Sequence, residues 1–182
     1  QPVSMQNMRD VARLCKEMGV ISVFDASLLS DNLYFIKLRD PEFKDTDIRE
    51  ITLEMGRIFD VVYFSGRKLG CARGGGILTN REDLYKRMRG FVTLFEGFLT
   101  YGGMSVREME ALAVGLYETL DIHVIEQTPI FVKALSDELV KLGVPVVLPS
   151  GGLGCHIDAR RFCDHIPDEQ YPAGALAAAI FV

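Results

Sequence analysis

The sequence contains no long hydrophobic run, no massed basic stretch and no closely spaced cysteine pair. No segment approaches the roughly 18 consecutive apolar residues of a membrane span, and no signal-peptide pattern opens the chain. The apolar tail, residues 173–182, is too short for either role. The 20 Lys and Arg are scattered and outweighed by 25 Asp and Glu, for a formal net charge of −5, so neither nucleic acid nor an anionic membrane is an expected partner. Cys15, Cys71, Cys155 and Cys163 show no CxxC spacing and match no common metal pattern. No metal site is expected, and the cysteines read as reduced thiols of a cytoplasmic protein. Internal repeats and low-complexity segments are absent as well.

What is present is a chain of 182 residues, 48% hydrophobic and 25% charged, enough for one sizeable core and part of a second. Gln1 is not an initiator and the sequence stops within "AAAIFV", which reads as a piece cut from a longer protein inside a buried element. Met5, Met8, Val11, Ala12, Cys15 and Met18 recur at three- and four-residue steps and predict a helix over 4–18, stopped by Gly19. A strand over 20–24 follows, then a helix over 47–58 with Ile48, Ile51, Met55 and Ile58 on one face, and a second strand over 61–64. A strand near 76–78 and helices over 81–95, 106–120 and 126–142 complete this part.

The strands are short and continuously apolar, as strands covered on both faces are, and they alternate with helices. An α/β fold with a parallel-rich sheet and helices on both faces is therefore expected. In "VPVVLPSGGLGCHIDARRF", residues 144–162, two short strands around a Gly-rich turn lead to a helix near Ala159. A boundary near 121–126 divides the chain into a larger domain, 1–122, and the start of a small α+β domain, 123–182.

In an open parallel sheet, function collects at the carboxyl ends of the strands. Asp25 follows "VISVF" directly, and "VVYFS" delivers Ser65, Gly66, Arg67 and Lys68 to the end of the next strand. A lone strand-end acid is commonly a turn or cap residue, and a lone loop lysine commonly a solvated charge. Together they suit one task better. Pyridoxal phosphate needs a lysine to hold its aldehyde as a Schiff base, a carboxylate to pair with its pyridinium nitrogen, and hydroxyl and N–H donors for its phosphate. Ser65 supplies a hydroxyl, and Gly66 allows close approach of the backbone.

The segments "QPVSMQNMRDVARL", "VFDASLLSDNLYFIK", "SGRK", "EGFLTYGG", "REMEALAVGL" and "GGLGCHIDARRF" resemble, in order, the middle of the tryptophanase and tyrosine phenol-lyase family of pyridoxal-phosphate β-eliminating lyases. The resemblance implies the aspartate-aminotransferase-like (type I) fold and a homodimer or homotetramer. It implies that Lys68, matching the second basic residue of "SGKK" or "SAKK", is the Schiff-base lysine and α-proton acceptor. It also implies that Asp25 pairs with the pyridinium and that Ser65 binds the phosphate.

Three positions depart from the family pattern. "DATR" becomes "DASL", so Leu28 replaces an arginine near the cofactor's phenolic oxygen, which should alter cofactor ionisation or substrate range. Arg73 stands where the family has an asparagine that helps bind a monovalent cation; a guanidinium has no acceptor, so potassium independence is expected. Leu153 replaces a small-domain histidine, and His156, three residues on, reads as a core histidine. Tyr101 in "TYGG" is as well explained by packing as by a place in the site. The expected activity is β-elimination from an amino acid to give pyruvate, ammonia and a released side-chain group. An aminotransferase, a C–S lyase acting on cysteine-like substrates, and a non-catalytic scaffold are the alternatives.

Overall fold

The computed structural model describes residues 2–181, which divide into two compact units, Pro2–Glu126 and the residues from Gln127 onward. The readings made on Gln1 and on the last residue of the apolar tail lie outside the described residues.

In the first unit, Ser4 caps helix α1 (Met5–Glu17) by accepting from the Asn7 N–H at 3.2 Å, and Gly19, at φ +67°, turns the chain beyond its end. Asp47 does the same for α3 (Ile48–Ile58), accepting from the Arg49 N–H at 2.7 Å. The buried stripes of these helices, Met5, Met8 and Ala12 against Ile48, Ile51 and Met55, form much of one core cluster. Met5, Ile51 and Met55 are essentially sequestered from water, each worth about 1.5–3 kcal/mol of burial.

Between them lies a helix that the sequence reading passed over, α2 (Leu29–Arg39). Its signals are Leu29, Leu33 and Ile36 at four- and three-residue steps, Asp31 in the first turn, and Lys37 and Arg39 in the last. Leu33 is fully buried in the same cluster.

The sheet is small and mixed, in the order β1 (Val23–Asp25), β2 (Val61–Ser65), β3 (Gly75–Thr79). β1 and β2 are parallel, Val23 opposite Val61 and Asp25 opposite Tyr63, as expected from the intervening helices. β2 and β3 are antiparallel, unlike the parallel-rich expectation. Only residues 66–74 join them, too few for the crossover that a parallel return requires. Side chains alternate across the sheet, so Phe24, Val62 and Phe64 face the core, while Val23, Tyr63 and Ile77 stand exposed on the opposite face. Helices on both faces were expected; in the described residues the core covers one.

Helices α4 (Glu82–Phe95), α5 (Val106–Glu118) and α6 (Ile122–Ile125) complete this unit. Ser105 and Glu108 cap α5 reciprocally: the Ser105 N–H donates to the Glu108 carboxylate at 2.8 Å, and the Glu108 N–H donates to the Ser105 hydroxyl.

The second unit comprises α7 (Gln127–Lys141), α8 (Ala159–Phe162) and α9 (Pro172–Phe181). The two strands expected within 144–162 reduce to a single bridge, Val146 opposite Ile157, closed by the Val147 N–H on the His156 carbonyl at 2.8 Å. The turn glycines and Pro149 leave too few ladder-forming residues to extend it. His156 and Leu153 are exposed, so His156 is not the core histidine expected. The apolar tail forms α9 without a buried residue, rather than the buried element read from its composition.

Candidate active site

Register places the proposed site. Asp25 ends β1 directly opposite Tyr63 of β2, and Ser65 lies two residues beyond Tyr63, so all three share one face at the carboxyl ends of a parallel pair. Lys68 follows in the loop after β2, close enough to Asp25 for its charge to favour the carboxylate. Asp25, Ser65 and Lys68, identified from the sequence as separate strand-end residues, are thus brought to one end of the sheet.

The loop holding Lys68 is built by close backbone approaches. The Gly66 N–H donates to the Gly74 carbonyl at 2.8 Å, the Ala72 N–H to the Gly66 carbonyl at 2.8 Å, and the Leu69 N–H to the Ser65 carbonyl at 3.0 Å. A Cβ on Gly66 would lie 2.9 Å from the Arg73 carbonyl oxygen, so glycine is needed there for space. Leu69 is buried, anchoring the loop, while Lys68 beside it projects outward. From behind, α5 presses Gly115 against Gly70, which itself sits at φ +87°. A methyl at 115 would run into the Gly70 carbonyl. Gly115→Ala is therefore expected to destabilise the protein by about 1–3 kcal/mol through overpacking. A denaturant midpoint unchanged from wild type would contradict that contact.

The Asp25 carboxyl is held below the usual carboxylate range, first by the hydroxyl of Ser27, then by the Ser27 N–H, with the Tyr63 phenol and the Lys68 charge adding to it and partial desolvation opposing. The N–H contact is 2.9 Å long. The same arrangement pushes the Tyr63 phenol upward, first because the neutral phenol donates to the Asp25 carboxylate, a bond a phenolate would lose, with desolvation and the Asp25 charge adding to it. Asp25 is consequently an anion at neutral pH, the state in which it can accept from a protonated ring nitrogen.

Ser27 and Tyr63 were not singled out from the sequence. Two signals were available: a serine two residues after a strand-end aspartate, where Asx turns recruit an N–H, and a polar residue two before Ser65, on the same side of the strand.

Other residues named from the sequence lie elsewhere. Arg73 is exposed, with its guanidinium 3.9 Å from the Glu108 carboxylate. Leu28 precedes α2 at the N-cap position, two residues beyond the ladder that carries Asp25. The Tyr101 ring packs against Phe98, centroids 5.8 Å apart. Among the described residues no His, Cys, Asp and Glu cluster is suited to a metal ion, and no helix is long and apolar enough to cross a membrane.

The donor set fits pyridoxal phosphate by its chemistry. An ionised carboxylate, a primary amine and a hydroxyl occupy one strand end.

Comparison with known proteins shows the family. The family described as Beta-eliminating lyase matches residues 1–179. A tyrosine phenol-lyase of Pasteurella multocida (strain Pm70) is 44% identical over 183 aligned positions, covering 100% of this chain and 40% of the relative. A tryptophanase of Salinibacter ruber (strain DSM 13855 / M31) is 40% identical, covering 100% of this chain and 39% of the relative. This chain thus spans about two fifths of the length of the curated relatives it matches. Among solved structures, one from Listeria monocytogenes EGD-E carrying a provisional L-allo-threonine aldolase assignment superposes with a TM-score of 0.61 at 19% identity, over 86% of this chain and 40% of that one. That likeness concerns the fold alone. With the family match extending over nearly every residue, the chain belongs to the beta-eliminating lyase family.

Proposed function

We propose that the intact protein is a pyridoxal-phosphate-dependent lyase with the aspartate-aminotransferase-like (type I) fold, cleaving an amino acid by β-elimination to pyruvate, ammonia and a released side-chain group. The observation that carries this reading is the convergence of Asp25, Ser65 and Lys68 on one end of the β1–β2 pair, with Asp25 held ionised. When bound, pyridoxal phosphate supplies an aldehyde for covalent attachment and a protonated ring that takes up electron density from the substrate α-carbon.

The chain's own residues then have distinct tasks. Lys68 Nζ would hold the cofactor and, as a free amine, would remove the substrate α-proton, a base acting at hydrogen-bond range. Asp25, held as an anion, would keep the ring nitrogen protonated. Ser65 donates its hydroxyl to the phosphate. A cytoplasmic homodimer or homotetramer acting on a small-molecule amino acid is the setting proposed. Leu28 and Leu153 bear on which side-chain group leaves.

Borohydride treatment of the intact protein loaded with pyridoxal phosphate, followed by peptide mapping, tests the assignment. Label on Lys68, together with pyruvate and ammonia in equal amounts from an amino acid substrate, is expected. Label on another lysine, or transfer of the amino group to a keto acid, overturns it. Arg73 leads to a separate expectation: its cation stands beside Glu108, so elimination should proceed equally in sodium and in potassium buffers. A strong potassium requirement would refute that role for Arg73.

A further inference from the structure

Ser27 does more than close a turn after β1. Its N–H donates to Asp25 Oδ1 at 2.9 Å, a local bond that any Asx turn makes. Its hydroxyl oxygen, however, accepts from the backbone N–H of Ser65 at 3.1 Å, across 38 residues of sequence. The chain at Ala26 extends the parallel ladder one step beyond β1 by donating to the Tyr63 carbonyl at 2.7 Å, which brings Ser27 level with Ser65. Ser27 is only 7% exposed, so water does not compete freely for its hydroxyl.

A serine hydroxyl has one proton and two acceptor sites. With Ser65 donating to the oxygen, the proton is available to the Asp25 carboxylate, and it is this hydroxyl that contributes most to holding Asp25 ionised. The other polar groups facing Asp25 are the Tyr63 phenol on β2 and the Lys68 ammonium in the loop beyond it.

We propose that Ser27 is a positioning residue whose hydroxyl couples the Asp25 carboxylate to the Ser65 backbone, setting the spacing between the ring-nitrogen contact and the phosphate contact of the cofactor. The proposal rests on the reading of the site as a pyridoxal-phosphate site. Its consequence is that the two contacts to the cofactor are linked through one hydroxyl as well as through the β1–β2 ladder. The hydroxyl is what matters, so threonine should serve and alanine or cysteine should not.

The test uses the intact protein carrying Ser27→Ala, Ser27→Cys or Ser27→Thr. Cysteine preserves the volume while weakening both hydrogen bonds, so it remains informative should alanine fail to fold. Two readouts are needed: the titration of the Asp25 carboxyl, followed by carbon NMR in the unloaded protein, and the dissociation constant of pyridoxal phosphate. For the alanine and cysteine variants the Asp25 titration should move to higher pH and cofactor binding weaken about tenfold, the loss expected for one hydrogen bond to a charged group. Threonine should restore both to near the wild-type values.

Folded alanine and cysteine variants with wild-type Asp25 titration and wild-type affinity would overturn the proposal. So would a threonine variant as impaired as alanine. Should the wild-type protein fail to carry pyridoxal phosphate on Lys68, the functional reading falls, whereas the Asp25 titration in the unloaded protein still decides whether Ser27 holds the carboxylate.

Discussion

Lys68→Ala in the intact protein is expected to eliminate the visible absorbance band of lysine-bound pyridoxal phosphate and to lower β-elimination by at least ~10⁴-fold, since one amine serves both as covalent anchor and as base. Stability should change little. Lys68 is exposed, and the loop around it is held by buried Leu69, by the Gly66 N–H on the Gly74 carbonyl at 2.8 Å, and by α5 behind Gly70. A thermal melt close to wild type with activity abolished is therefore the signature of a lost functional group rather than of a lost fold. Elimination by the variant at the wild-type rate would remove Lys68 from the mechanism.

Asp25→Asn should retain the shape of the strand end, because a carboxamide oxygen still accepts from the Ser27 N–H, yet it removes the negative charge opposite the ring nitrogen. A fall of about 10²–10³-fold in turnover is expected, the scale of losing one preorganised electrostatic partner. Asp25 has a folded-state pKa below its unfolded value, so its contribution to stability is present above the unfolded value and is lost as pH falls through the folded one. Wild type should thus keep the ring-nitrogen partner ionised below the ordinary carboxylate range, and acid loss of cofactor should occur there. In the Asn variant that acid limb should be absent. Rapid steady-state rates and cofactor absorbance recorded across the acid range measure both, and an unaltered turnover in the Asn variant would exclude Asp25 as the ring partner.

Much of the fold was legible because local rules and tertiary packing agree. The three- and four-residue recurrence in α1 and α3 marks the faces that the core buries, and Ser4 and Asp47 stand as caps where side chains must satisfy orphan N–H groups. α2 was harder to read. Polar Ser30, Asp31 and Asn32 interrupt its start, and its apolar residues make more than one contact face, so no single stripe advertises it.

The sequence by itself determined that Asp25, Ser65 and Lys68 stand at strand ends, because apolar runs followed by polar and glycine residues define those ends, and family resemblance assigned them chemistry. Only the tertiary structure decided which of them face one another. Register, a property of hydrogen bonding between segments 38 residues apart, puts Asp25 opposite Tyr63 and brings Ser27 within 3.1 Å of the Ser65 N–H. The return of β3 antiparallel was equally invisible to local pattern, since continuously apolar strands read alike in either direction. It is the nine-residue reach of the loop, 66–74, folded over Gly66 and braced by Gly115, that sets that direction and holds Lys68 at the carboxyl end of the sheet.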